Sequence, residues 1–259
     1  MKFLCTKSRF ALILAFSLLI LSGCNSTEES PPSYEPPRFT YDSYAVVFRA
    51  PDAVPFYYWG TFPEGFEPML EVRWEFPVPY YNDSSEAIKK VCAYFQEQGM
   101  IEDIDTLLAE AKKAYNSSAD YNARHFYQDT QLTAATDSMW AFNTVITVPY
   151  SDGYTHLEYS NFFDPATGES LELWDLFSAP KEDVKEKLIS YGTGYYDEQL
   201  MIDTFDPSFV AFGSKSIMVT FAPGTLMDTS AGYSVEYSDL VDILHSWAIP
   251  SNASQSPAQ

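Results

Sequence analysis

The sequence is poor in cysteine, histidine and basic residues, and these shortages exclude several classes of function. Of 259 residues, three are cysteine and three are histidine, while 15 basic residues stand against 36 acidic ones. The formal net charge is −21, which disfavours binding to nucleic acid or to an anionic lipid surface. Such a charge favours a cationic partner, although a solvated acidic surface can also serve solubility alone.

One long apolar run is present, and it lies at the N-terminus. Basic residues precede the apolar stretch 11–21, and two small residues separate that stretch from Cys24. This pattern is typical of a secretory signal peptide, and about a dozen apolar residues are too few for a permanent membrane span. The position of the cysteine resembles the bacterial lipobox. We therefore expect a signal peptide at 1–23 and a lipidated N-terminus at Cys24; an ordinary signal peptide is the alternative.

A lipidated Cys24 predicts where the protein acts. Two or more acyl chains give stable attachment, so the chain would lie on the outer face of the cytoplasmic membrane or on an outer membrane. Loss of the leader removes three basic residues and makes the net charge −24. Residues 24–42, rich in Ser, Pro and Glu, predict a disordered, semi-rigid tether, and residues 249–259 predict a disordered tail.

The cysteine positions exclude an intramolecular disulfide in the mature chain. Cys5 lies in the leader and Cys24 would carry the lipid, so Cys92 is the one remaining cysteine of the sequence. Cys92 falls in an apolar stripe at helical spacing, so packing is its expected role.

The hydrophobic pattern predicts an α+β fold with antiparallel sheets, packed helices and two intimately associated subdomains, 43–122 and 123–248. Asp83 and Glu86 offer a capping box for a helix that ends at Gly99, and Pro77 and Pro79 should end the strand before it. The pattern at 192–206 does not indicate one type of secondary structure. Strands are predicted at 44–49, 69–76, 123–135, 139–149, 154–163, 209–212, 216–221 and 232–237. Further helices are predicted at 101–115, 180–191 and 238–247.

One segment carries a family resemblance. His156 is followed by Asn-Phe-Phe-Asp at 161–164, a Thr-Gly turn at 167–168 and Leu-Trp-Asp-Leu-Phe at 173–177. Gly168 in that turn is free to take a positive φ. These motifs resemble the C-terminal domain of RsiV anti-sigma factors, which PdaC-type peptidoglycan deacetylases also contain, and the similarity extends over about 70–244. Two departures are Tyr-Thr before His156 and Gly224 where the family often has an aromatic residue.

The resemblance implies an extracytoplasmic α/β module without catalysis of its own. In RsiV this module binds lysozyme, a cationic protein. RsiV also has a transmembrane helix and a sigma-binding segment, which a lipoprotein lacks, so anti-sigma activity is not implied.

Motifs for catalysis are missing. The histidines at 125, 156 and 245 do not have zinc-site spacing, and the sequence has no Gly-x-Ser-x-Gly nucleophile elbow. We therefore predict no catalytic residues, no metal and no cofactor. Carboxylates are numerous, so a cell-wall or glycan hydrolase that uses a carboxylate pair stays an alternative.

The candidate ligand-binding residues are His156 and three nearby tyrosines, Tyr150, Tyr154 and Tyr159. They predict a polar and aromatic edge near the end of a hairpin; structural packing at a strand end is the alternative. Together these features predict a lipid-anchored binding or sensing module of the cell envelope, for a cationic protein such as lysozyme or for a cell-wall ligand. A passive spacer protein is the remaining hypothesis.

Overall fold

The computed structural model describes residues 34–57, 64–81, 85–118, 121–150 and 153–251, without the side chains of 148–150 and 153–155. The predicted signal peptide, Cys24, Asp83, and most of the tether and of the tail lie outside the described residues. Among the described helices, none is both long and apolar enough to cross a membrane.

The described residues form an α+β fold, as predicted. The strands are β1 (Phe39–Arg49), β2 (Val54–Phe56), β3 (Pro68–Pro79), β4 (Arg124–Ala135), β5 (Trp140–Tyr150), β6 (Gly153–Phe163), β7 (Ser170–Leu171), β8 (Val210–Phe212), β9 (Ser216–Phe221) and β10 (Ala231–Glu236). The α-helices are α1 (Glu86–Gln98), α2 (Ile104–Ser117), α3 (Lys181–Ser190) and α4 (Glu198–Thr204).

Seven strands form one sheet in the order β2-β1-β3-β4-β5-β6-β7, and β10-β9-β8 form a second. All neighbours in the first sheet are antiparallel except β3 and β4, which are parallel. Parallel neighbours need a long crossover, and helices α1 and α2 supply it. The predicted boundary at 122/123 falls between α2 and β4, so the first sheet runs through both predicted subdomains.

The two faces of the seven-stranded sheet differ. Helices α1 and α2 cover the face that we call the helix face, where Leu107 of α2 packs among Val46, Val72 and Phe126. The opposite face is covered in part by the second sheet, since Phe162 contacts Phe212 with ring centroids 5.2 Å apart. The rest of that surface, which we call the polar face, carries mainly polar and charged side chains of β3 to β6.

Helix α1 has one buried face, made by Ala87, Ile88, Val91, Cys92 and Phe95. Cys92 is therefore part of the packing, as the helical stripe predicted. The prediction of Asp83 as the cap is wrong: Ser85 is the N-cap residue, and its side chain accepts a hydrogen bond from the backbone N–H of Ile88.

Of the two prolines predicted to end the strand, Pro79 is its last residue, whereas Pro77 lies within it, in register with β1. Strand β4 pairs with β3 only as far as Glu75. Pro77 therefore lies where β3 has no neighbour on that side, a position at which proline is tolerated.

The prediction of a helix at 238–247 is also wrong. Short 3-10 turns at Tyr237–Asp239 and Ser246–Ala248 occupy this segment. An isolated β-bridge between Phe177 and Leu244 holds it to the chain just before α3. The ambiguous segment 192–206 contains helix α4.

The turn after β6 lies against α1. Gly168 has φ of 69°, as the Thr-Gly motif predicted, and a Cβ added there would lie 2.6 Å from the carbonyl oxygen of Ala87. The side chains of Lys90 and Glu169 form an ion pair across the same contact. The turn thus fixes the end of β6 relative to helix α1.

Candidate functional site

A groove of about 740 Å³ opens on the helix face, and we call it the aromatic–acidic groove. It is formed by β1, β3, β2 with Tyr57 just after it, and the loop from α1 to α2. Its lining residues are Tyr44, Phe48, Pro55, Tyr57, Trp74, Met100, Ile101, Glu102, Asp103, Ile104 and Asp105. No lysine or arginine is among these described lining residues.

Aromatic rings form one side of the groove. Tyr44 of β1 and Trp74 of β3 are register partners and therefore point to the same face of the sheet. The Trp74 ring stacks on Phe76 with centroids 4.4 Å apart and an interplanar angle of 30°, which fixes its plane. Tyr44 meets Tyr57 edge to face at 6.2 Å, and the Tyr57 side chain is 64% exposed. The rings are thus both ordered and accessible.

Burial raises the pKa of the Tyr44 hydroxyl, and a hydrogen bond with Tyr57 adds to this effect. The Tyr44 hydroxyl is therefore protonated at neutral pH and can act as a hydrogen-bond donor or acceptor. It thus contributes no negative charge to the groove.

The opposite side of the groove is the loop from α1 to α2, which Gln128 of β4 holds in place. The Gln128 side chain is only 2% exposed. Its Oε1 accepts from the backbone N–H of Ile101 at 2.8 Å, and its Nε2 donates to the carbonyl oxygen of Gly99 at 3.0 Å. One buried amide thus pairs with a backbone N–H and with a backbone carbonyl oxygen of the loop.

Three carboxylates make this side acidic, namely Glu102, Asp103 and Asp105. Asp103 caps α2, because its carboxylate accepts from the backbone N–H and the hydroxyl of Thr106 at 3.0 Å. The N-terminus of α2 contributes about half a positive charge, which is smaller than the negative charge of the three carboxylates. The groove therefore favours a cation.

The four residues proposed from the sequence do not form one cluster. His156 and Tyr159 of β6 pair with Thr147 and Thr144 of β5, respectively. Since successive side chains of a strand alternate between faces, His156 lies on the polar face and Tyr159 on the helix face. Tyr150 and Tyr154 are at the ends of β5 and β6, and their side chains lie outside the described part of the structure.

Each described member of that set has its own surroundings. His156 is exposed, and its Nδ1 lies 2.9 Å from the hydroxyl of Thr147. The Tyr159 ring packs against Phe209 at 4.8 Å. Burial raises the pKa of the Tyr159 hydroxyl, and the charges of Glu102 and Asp206 raise it further. The charge of Glu102 in the acidic loop therefore acts on Tyr159, whereas His156 lies on the opposite face of the sheet.

The polar face holds two groups of interacting side chains. His125 Nδ1 lies 3.0 Å from both Glu71 Oε2 and the Tyr127 hydroxyl. On the same face, Arg73 donates to Glu75 at 2.7 Å. The described residues contain no group of three or more His, Cys, Asp or Glu placed to hold a metal ion.

Asp129 of β4 lies beside Glu75 in the register of the parallel pair. Burial raises the pKa of its carboxyl; Arg73 lowers it and Glu75 raises it further. Asp129 and Glu75 therefore form a carboxylate pair in which the two groups have different surroundings.

The sequence did not reveal the groove. Tyr44 and Trp74 lay in predicted strands, and Asp103 and Asp105 lay in the predicted helix 101–115, so each residue had a sufficient local explanation. A local pattern carries no information on which strand pairs with which. The pairing of β1 with β3 brings Tyr44 and Trp74 together, and Gln128 of β4 holds the loop that carries the acidic residues.

Comparisons with known proteins find solved structures that are similar to this chain. No family model matches the chain, and no curated protein matches its sequence. A protein from Pseudomonas aeruginosa PAO1 is similar with a TM-score of 0.47 and 9% identity, over 84% of this chain and 98% of that chain. One from Bacteroides fragilis NCTC 9343 has a TM-score of 0.48 and 11% identity, over 83% and 96%. Both of these structural neighbours are described as proteins of the DUF3298 family.

Proposed function

We propose that this protein is a lipid-anchored, RsiV-like binding module of the bacterial cell envelope, and that its ligand is a cationic protein. The observation that carries this proposal is the aromatic–acidic groove. Its exposed rings and carboxylates share one concave surface, and its described lining residues include no lysine or arginine.

Two physical effects support a cationic ligand. A cation over the face of an aromatic ring gains about 0.5–2 kcal/mol, depending on its desolvation. The net charge, −21 for the whole sequence and −24 without the leader, also steers a cationic protein toward the surface and raises the association rate. The sequence resemblance to RsiV, whose module binds lysozyme, makes lysozyme the first ligand to test.

The binding test uses calorimetry of the full chain, purified in nonionic detergent, against hen lysozyme and against soluble peptidoglycan fragments at low salt. We expect lysozyme to bind and Glu102→Gln with Asp105→Asn to weaken that binding. Glu182→Gln with Asp183→Asn is the matched control, since these exposed acids lie in the first turn of α3. Absence of lysozyme binding at low salt would overturn the proposal; tighter binding of peptidoglycan would replace the protein ligand by a cell-wall ligand.

The lipid anchor is part of the proposal and has its own test. The Cys24→Ser variant should remain unprocessed at this position and should lose the mass of the acyl groups, as measured by mass spectrometry of the membrane fraction. Unchanged mass and membrane attachment in this variant would contradict a lipid at Cys24.

A second candidate function rests on the carboxylate pair of the polar face. Neighbouring strands lie about 4.8 Å apart, and retaining glycosidases hold their two carboxyl groups about 5–5.5 Å apart. Asp129, whose pKa is raised, would be the general acid, and Glu75, held by Arg73, would be the nucleophile.

This candidate predicts release of reducing ends from soluble peptidoglycan or from chitooligosaccharides. Asp129→Asn and Glu75→Gln should each abolish the release, while Glu71→Gln on the same face should retain it. No release by the unmodified chain would rule out the hydrolase and would leave the binding proposal intact.

A further inference from the structure

We infer that the aromatic–acidic groove recognises an arginine side chain of the ligand, in preference to lysine. This inference rests on the proposed function and names the chemical group that occupies the groove. It follows from the shape and the order of the rings, as well as from the charge of the groove.

The Trp74 ring is the flat surface on which a planar cation can lie. Its stacking on Phe76, at 4.4 Å and 30°, holds the indole plane, and Trp74 is only partly buried and lines the groove. A guanidinium is planar and stacks on an aromatic face, whereas an ammonium is a compact and strongly hydrated point charge. A fixed indole plate therefore favours arginine.

The acidic side of the groove complements this plate. Glu102 and Asp105 are exposed, and neither carboxylate forms a hydrogen bond or ion pair with another residue in the part of the chain that the structure describes. The carboxylate of Asp103 is already engaged by Thr106. Guanidinium presents several N–H donors in a fixed fork that matches a carboxylate with two parallel hydrogen bonds. An ammonium does not have this geometry.

Tyr44 and Tyr57 bound the same space. Their edge-to-face contact at 6.2 Å places two further rings at the groove, and their hydroxyls can accept a hydrogen bond from a donor-rich group. The groove thus offers a ring face, ring edges and carboxylates to one side chain.

Citrulline has nearly the shape of arginine without its charge, so it separates recognition of charge from recognition of shape.

The test measures binding of three short peptides to the full chain in nonionic detergent. The peptides are acetylated and amidated Gly-Ser-X-Ser-Gly, in which X is arginine, lysine or citrulline. We expect the arginine peptide to bind about fivefold more tightly than the lysine peptide, and the citrulline peptide at least about tenfold more weakly than the arginine peptide. Equal binding of citrulline and arginine, or tighter binding of lysine, would overturn the inference.

Variants locate the binding. Trp74→Leu should abolish arginine binding, and Trp74→Phe, which keeps an aromatic ring in the stack, should weaken it by a smaller factor. Glu102→Gln with Asp105→Asn should also weaken it, and the surface pair Glu182→Gln with Asp183→Asn should not. Arginine binding that survives in Trp74→Leu, with the circular dichroism of the variant unchanged, would exclude the groove.

Lysozyme separates this inference from the proposed function. If lysozyme binds equally to the unmodified chain and to Trp74→Leu, the function stands and the arginine site is wrong. If the arginine peptide binds and lysozyme does not, the site stands and the proposed partner is wrong.

Discussion

Gly168 shows how one residue can link two elements. Its positive φ suits the turn after β6, and its missing side chain leaves room for the backbone of α1 at Ala87. A residue with a Cβ would meet both a conformational cost and a steric clash at this position. The two effects can be separated, because Gly224 also has a positive φ, of 78°, and a Cβ added to it would meet no atom within 4 Å.

We predict that Gly168→Ala lowers the free energy of unfolding by about 2–4 kcal/mol, because strain from the left-handed backbone adds to the clash with α1. Gly224→Ala should lower it by about 1–2 kcal/mol, the conformational part alone. Urea denaturation of both variants checks this. Equal losses in the two variants would show that the contact with α1 has no energetic role.

Two tyrosine hydroxyls are buried where the second sheet packs. Tyr233 donates to the carbonyl oxygen of Leu188 at 3.1 Å, and Tyr237 donates to that of Gly213 at 2.8 Å. Burial raises the pKa of both hydroxyls well above the ordinary value; the charge of Tyr196 adds to this at Tyr233. In the folded protein both therefore keep their protons at a pH where an unfolded tyrosine, with a pKa of about 10, loses its own.

We predict that stability is constant with respect to these groups below about pH 10 and falls as the pH rises further, because the unfolded state then binds fewer protons than the folded state. Tyr237→Phe should reduce the slope of unfolding free energy against pH between about 10 and 11, and should cost about 1 kcal/mol at about pH 7 through the lost hydrogen bond. Tyr195→Phe, at a highly exposed site, is the control. An unchanged slope in Tyr237→Phe would contradict the assignment.

At the scale of elements, the loop from α1 to α2 depends on strand β4. Gly99 ends α1 with φ of 67°, and Asp103 starts α2, so the loop between them is short. Gln128 reaches this loop from β4, where it lies between β3 on one side and β5 on the other. The shape of the groove is therefore determined by a buried residue that does not line it.

We predict that Gln128→Met, which keeps the length of the side chain and removes its hydrogen bonds, lowers the free energy of unfolding by about 1–3 kcal/mol. It should also weaken lysozyme binding, because the acidic loop loses its fixed position. Calorimetry and urea denaturation measure the two effects. Gln131→Met is the control on the exposed side of the same strand, and equal effects of the two substitutions would contradict the role of Gln128.

Strand alternation also explains why two residues of the predicted binding edge, His156 and Tyr159, lie on opposite faces of the sheet. His156 and Tyr159 are three positions apart, and an odd separation in a regular strand places two side chains on opposite faces. The sequence contained this information once β6 was accepted as a continuous strand. Proximity along the chain was therefore a poor guide to proximity in space, and Tyr159 instead feels the charge of Glu102, which is distant in sequence.

At the scale of the whole molecule, the negative charge dominates. An acidic chain attracts a cationic protein over a distance of about 10 Å at 0.1 M salt, and less at higher salt. The groove adds short-range contacts to this general attraction. Binding measured at several salt concentrations therefore separates the general electrostatic attraction from the short-range contacts of the groove.

We predict that lysozyme affinity falls about tenfold or more when NaCl rises from about 50 to about 500 mM, mainly through a slower association rate. The loss caused by Trp74→Leu should appear mainly in the dissociation rate, since it removes a contact of the formed complex. Surface plasmon resonance of immobilised full chain at several salt concentrations measures both rates. An affinity independent of salt would contradict electrostatic steering.

The sequence by itself determined the α+β class, most strands, helices α1 to α3 and the positive φ of Gly168, because alternation, helical spacing and turn residues are local properties. Its prediction of a lipidated Cys24 concerns residues outside the described structure and stays a prediction. Only the tertiary structure decided that β3 and β4 pair in parallel, that Pro77 lies within a strand, and that Tyr44, Trp74 and Glu102 share one groove. These contacts depend on which strands become neighbours, and that choice is set by burial of the whole core rather than by any one segment.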